Sequence, residues 1–205
     1  YNLQDTAANL ALAPEAVYNN AIAVVSTDTA TAAQAASITT LVTASNLTTA
    51  AGDDITAAQL TLNIADTGSN LAQLNVTEAV ASDSVTPSGA LTALQAVDVY
   101  GNNNAATFAV SDTAAALTTS KADASMDNAT SVSVTDAASV AQVTGFDAAS
   151  DVKLSAGYTL SDSFANITGA ADAVINAAGD LTEDTAVITV ANAVTLNNYS
   201  NTGST

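Results

Sequence analysis

AVSDTAAALTTS (109–120) and SVSVTDAASVAQV (131–143) decide how this chain folds. Each opens on alternating or continuous apolar residues rich in Val, the pattern of a half-buried strand. Each then reaches an Asp followed by small residues. A carboxylate there can accept a hydrogen bond from a free N–H of a first helical turn, and its charge suits the positive end of the helix dipole. The Ala-rich run that follows favours helix. The unit reads strand, Asp cap, short helix or helical turn, and return.

The same wording recurs along the chain: YNLQDTAANL (1–10), VVSTDTATAAQAASI (24–38), LNIADTGSNLAQL (62–74), FAVSDTAAAL (108–117), VSVTDAASVAQV (132–143) and YTLSDSFANI (158–167). Recurrence at roughly 20–50 residues marks a stacked-repeat architecture. Asp5, Asp28, Asp66, Asp112, Asp136 and Asp162 are the expected structural caps. Asp5 to Asp28 is 23 residues, Asp112 to Asp136 is 24, Asp136 to Asp162 is 26, and Asp162 to Asp184 is 22. Asp66 to Asp112 is 46, about two periods, and Ser88 sits where the missing anchor belongs. Asp28 to Asp66 is 38, not a whole number of periods, and Asp54 falls inside it, which predicts an irregular or shortened coil near 43–60. The longest match joins 1–21 to 158–178 and places Tyr1 and Tyr158 at one repeat position as packing residues.

These spacings predict an α/β repeat solenoid, its parallel strands stacked at about 23 residues per coil and joined by short Asp-capped helices. The alternative is an all-β solenoid or sandwich, with the Ala-rich runs as strand and loop. Segments such as ALTALQAV (90–97) make poor strands and favour the mixed reading. The domain organisation expected is one elongated repeat domain over 1–205. Leu10 with Val17, Leu71 with Leu74, and Val140 with Val143 are spaced to share a helical face. Pro14 can open a second short helix at its first position.

Composition sets the limits on function. Of the 205 residues, 48% are hydrophobic and only 4% aromatic, so a core can form but must be thin and built of small side chains. Two Lys and no Arg or His face 20 acidic residues, for a net charge of −18. Nucleic acid and anionic membrane surfaces both need Lys or Arg at their phosphates, so neither is an expected partner. The absence of Cys excludes a thiol enzyme, a Cys-ligated zinc site and a disulfide scaffold. No apolar run approaches the ~18–20 residues that span a bilayer. With Met126 the only methionine, Tyr1 is expected to begin a processed chain or an excised piece of a longer one.

QDTAANL (4–10), SDTAAAL (111–117), SDSFANI (161–167) and TDAASVAQ (135–142) resemble tandem repeats of very long bacterial surface and secreted proteins. Cyanobacterial and proteobacterial adhesins, S-layer-like proteins and calcium-associated secreted repeat proteins carry similar wording. The resemblance covers most of the chain except roughly 43–60 and 75–106. It implies an extracellular or cell-surface structural or adhesive role, often with calcium. The GGxGxDxUx calcium nonapeptide is absent, so calcium does not carry over from that motif.

Without His or Cys, acid–base catalysis would fall to carboxylates converging in one pocket. Anchors at the same point of every unit form a ladder instead, and the expectation is a non-enzyme. The calcium candidates are Asp53 with Asp54, and Asp180 with Glu183 and Asp184. Calcium wants six to eight oxygens, so a further turn would have to contribute at either cluster. Sequons at Asn46, Asn75, Asn128, Asn166 and Asn198 and scattered Tyr residues leave a glycan partner open. The function expected is a structural surface-layer, filament or adhesin-stalk segment that self-associates or continues in a longer chain. The alternative is a calcium- or glycan-binding adhesion module.

Overall fold

A computed structural model describes residues 1–19, 21–44, 60–75, 84–148, 152–184 and 188–200. The fold is mixed α/β with parallel sheets, which sets aside the all-β alternative. Eight strands alternate with helices: β1 (Asn2–Asp5), β2 (Ala23–Ala30), β3 (Leu60–Asp66), β4 (Ser84–Pro87), β5 (Ala109–Asp112), β6 (Ser131–Val134), β7 (Tyr158–Asp162) and β8 (Ala178–Glu183). β1 to β4 form one sheet in chain order, β5 pairs with β6, and β7 pairs with β8. Every pairing is parallel. Isolated parallel bridges join Val132 to Leu154 and Ala138 to Leu160.

The contacts group the residues into two compact bodies, 1–90 with 98–108 and 91–97 with 109–205. In the first, Val24, Leu62, Ile64 and Val85 point inward from the strands. In the second, Val110, Val132 and Leu160 do the same. The residue five places after Asp5, Asp66, Asp112 and Asp162 is Leu10, Leu71, Leu117 and Ile167, and each is fully buried. That position projects back over the strand because the helix begins at once after the Asp.

Two kinds of repeat alternate. In the tight repeats the Asp is followed directly by the helix-capping Thr or Ser. Where the whole repeat is described, the helix is short and a second one follows: Ala7–Leu12 with Glu15–Tyr18, Ala114–Ser120 with Ala124–Asn128, and Phe164–Gly169 with Asp172–Ala177. In the other kind one longer helix follows the strand: Ala32–Ala44, Ala93–Asn102, Val140–Ala148 and Val190–Ser200. From Asp5 to Thr31 and from Asp66 to Thr92 is 26 residues, and from Asp112 to Ser139 and from Asp162 to Thr189 is 27. The repeating period is therefore a pair, about twice the single spacing.

Several expectations shift by a residue or an element. Val17 lies on a separate helix from Leu10 and is part exposed, because the chain breaks at Ala13 and Pro14. Pro14 is the N-cap of that second helix, and Glu15 is its first residue. β2 pairs directly with β3, so the long Asp28–Asp66 span joins neighbouring strands of the sheet. Its residues 45–59, including Asp53 and Asp54, lie outside the described residues. Tyr1 and Tyr158 make the same kind of hydrogen bond, each hydroxyl donating to a carbonyl 16 residues on, that of Val17 or Val174, but only Tyr158 is a buried packing residue, and Tyr1 is exposed. Gly157 has φ 93°, and a Cβ on Gly179 would stand 2.8 Å from the Gly157 oxygen, so this close approach of β8 to the start of β7 requires glycine.

Candidate functional site

The anchor carboxylates form the most regular polar feature of the molecule. In the tight repeats the helix N-cap is not the Asp but the next residue. Thr6, Thr67, Thr113 and Ser163 accept the N–H three residues on, at 3.2–3.4 Å. The Asp stands just outside, and its Oδ1 accepts the N–H of that capping residue at 2.7–2.8 Å. In three of the four, an Asn side chain one turn on also donates to Oδ1: Asn9, Asn70 and Asn166 at 2.7–2.8 Å. The sequon residue Asn166 is thus engaged in the protein's own polar network.

The other oxygen reaches a neighbouring repeat. Asp66, Asp112 and Asp162 accept through Oδ2 the first helical N–H of the preceding repeat, from Ala32, Ala93 and Val140 at 2.9–3.0 Å. Asp28 and Asp136 do the same service for the N–H groups of Ala7 and Ala114, at 2.6 and 2.7 Å. Glu183 reaches the N–H of Phe164 at 3.1 Å. The first N–H of a helix has no partner inside it. Each carboxylate therefore ties its own repeat to the one before and satisfies a donor 19 to 34 residues away. The spacing predicts anchors that cap their own helices; the capping residue is instead the Thr or Ser that follows, and Asp28, Asp66, Asp112, Asp136 and Asp162 receive a helical N–H from the repeat before.

This geometry corrects two anchor positions. Glu183, not Asp184, supplies the last carboxylate: it accepts the Phe164 N–H from its place opposite Asp162, two residues earlier in the register than Asp28 and Asp136. Asp28 and Asp136 stand three residues before their capping Thr31 and Ser139, so the equivalent before Thr92 is Gly89 rather than Ser88. Ser88 instead donates its own N–H to the Asp66 carbonyl at 2.9 Å. No side chain there can reach the Gly68 N–H, and this is the one place where the ladder is interrupted among the described repeats.

The alternate repeats carry a cap that the Asp spacing did not reveal. Thr31 and Gln34, Thr92 and Gln95, and Ser139 and Gln142 form reciprocal pairs. The hydroxyl accepts the Gln N–H while the Gln side chain accepts the N–H of the cap. This is a capping box, legible as T-A-A-Q, T-A-L-Q and S-V-A-Q in the sequence.

Burial opposes ionisation of Asp66 and Asp162. Bonds from an Asn side chain and two N–H groups outweigh it and hold both carboxyls below the ordinary value. Asp5 is held low by Asn9 and then Thr6. All three acids are held charged, and Asp66 and Asp162 accept bonds through both oxygens.

No group of three or more acids that could hold a metal occurs among the described residues, so Asp180, Glu183 and Asp184 do not assemble into one. Of the three, Glu183 is committed to Phe164. Of the two lysines, Lys153 donates to the Ala129 carbonyl at 3.1 Å, and Lys121 packs against Gly145. No helix among the described residues is long and apolar enough to cross a membrane. Comparison of the chain with protein-family models, with curated proteins and with solved structures gave no match.

Proposed function

We propose that this chain is a non-catalytic structural segment of an extracellular bacterial surface layer, filament or adhesin stalk. Its repeats stack as an α/β solenoid, with a carboxylate tying neighbouring coils at every described junction but that of Gly68 and Gly89. The observation that supports this reading is the recurrence of one bond, carboxylate to first helical N–H, at six of the seven junctions between described repeats. A bond repeated in register is what a spacer needs and what a single active site does not. The surface location rests on the resemblance of the repeats and on the Cys-free, acidic composition.

Stacked repeats contact only their neighbours, so a whole period can be removed without destroying the rest. Deleting residues 113–162 joins Asp112 to Ser163 and excises one pair of repeats in phase. The shortened chain is expected to fold cooperatively, with unchanged helix and strand signal per residue by circular dichroism. An unfolded or molten product would reject the stacked reading.

A further inference from the structure

The junctions between the described repeats are of two kinds. From a tight repeat to the long-helix repeat after it, the strands pair over four or five residues and a carboxylate reaches back to the tight helix. β1 with β2, β5 with β6, and β7 with β8 have both, with Asp28, Asp136 and Glu183 as the acids. β3 and β4 also pair over four residues, but the acid is missing, because Gly89 holds its place before Thr92. From a long-helix repeat to the tight one after it, the Asp carboxylate is always present and the strand pairing varies. β2 and β3 pair at four positions, and two isolated bridges, Val132 with Leu154 and Ala138 with Leu160, serve the junction of β6 and β7. Between β4 and β5 there is one bridge, Leu91 with Val110. Each kind of junction is therefore thinnest where it borders the same repeat, residues 84–108.

We propose, on the stacked reading above, that this fourth repeat is the yield point of the stack: it opens as a unit while the repeats on either side stay folded. A stacked repeat is held by its own fold and by its two faces, so a repeat with two thin faces has the least to lose on opening. The rest of its sequence points the same way. Pro87 has no N–H to offer a neighbouring strand. Gly89 and Gly101, each with nothing within 4 Å of an added Cβ, gain more freedom on opening than other residues do. Ser84, Thr86 and the three residues 88–90 are exposed along β4 and its exit. Leu94 is 69% exposed, where the equivalent residues of the neighbouring long helices are Ala33 and Ala141, so its bulk adds little burial that opening would lose. The division into two compact bodies also falls inside this repeat: 84–90 and 98–108 group with the first, and 91–97 with the second. In a spacer under load, one repeat that yields first lengthens the chain before the whole stack unfolds.

Peptide-resolved hydrogen–deuterium exchange on the whole chain tests this. The paired amides of β4 and of the helix Ala93–Asn102 are expected to exchange through one shared opening. Their exchange should be on the order of tenfold or more faster than that of the paired amides of β2, β3, β5 and β6. Gly89→Asp supplies the missing carboxylate and is expected to slow exchange across 84–108 by about fivefold, leaving the other repeats as in the parent. Exchange in 84–108 no faster than in the repeats alongside overturns the yield point, and that measurement on the parent stands whether or not the variant folds. A Gly89→Asp chain whose exchange slows equally everywhere, or not at all, overturns it too, because the thin junction would then not control the opening. If the period-deleted chain folds while exchange is uniform, only the yield point is wrong. If that chain does not fold, the stacked reading falls and the yield point with it.

Discussion

A single carboxylate does two jobs at Asp162. Oδ1 orders its own helix start through Ser163 and Asn166, and Oδ2 takes the Val140 N–H of the repeat before. Asp162→Asn keeps the first function, since an amide oxygen still accepts, but puts an NH2 group against the Val140 N–H. The expected loss is about 1–2 kcal/mol at neutral pH, tempered by the site's exposure to solvent. The folded carboxyl is depressed, so its stabilisation is present above the unfolded pKa of about 3.9 and is lost as pH falls through the folded value. The gap between parent and variant should therefore be full at pH 7 and close in strong acid. Urea midpoints at pH 7 and pH 2.5 check this; a constant gap would mean the carboxylate's charge is irrelevant.

Gly89 tests the same chemistry by addition. A Cβ there meets nothing within 4 Å, and its backbone is not in the left-handed region. Gly89→Asp restores the missing carboxylate opposite the Gly68 N–H and stiffens the unfolded chain. A gain of about 1 kcal/mol is expected, read as a higher thermal midpoint. A lower midpoint would show that this repeat departs from the geometry of Asp28 and Asp136.

At the scale of the element, the sequence identified strands and helices but missed how the helices start. The Asp spacing drew attention because it recurs in six places. The boxed caps recur in three, and Gln is not conspicuous unless Thr or Ser three residues earlier is read with it. The two-kind alternation follows from this difference. A cap placed directly after Asp starts the helix at once, and a cap delayed by three residues extends the strand side and leaves room for one longer helix. Gln142→Ala removes one arm of a box, leaves the Ser139 N–H without its acceptor, and should cost about 0.5–2 kcal/mol. Amide hydrogen exchange would locate the loss in the first turn of Val140–Ala148; a loss spread evenly over the chain would contradict a local capping role.

At the scale of the whole molecule, burial separates interior repeats from end repeats. The buried inner positions Ala35 and Ile38, Ala96 and Val99, and Val143 and Phe146 recur in the last helix as Ala193 and Leu196. There Ala193 is exposed and Leu196 only half-covered. The residues are apolar in every copy, and among the described helices only the last leaves them uncovered.

By itself the sequence determined what is local: where strands lie, that a short helix follows each Asp-marked strand, and that no thiol or imidazole chemistry is available. These depend on neighbours a few residues apart, and periodicity exposes them. Only the tertiary structure decided which N–H each carboxylate receives, that Glu183 and Gly89 rather than Asp184 and Ser88 occupy the anchor places, and which apolar side chains stay open. Those outcomes turn on strand register, and register brings together residues about twenty or more apart whose identities carry no mark of their partners.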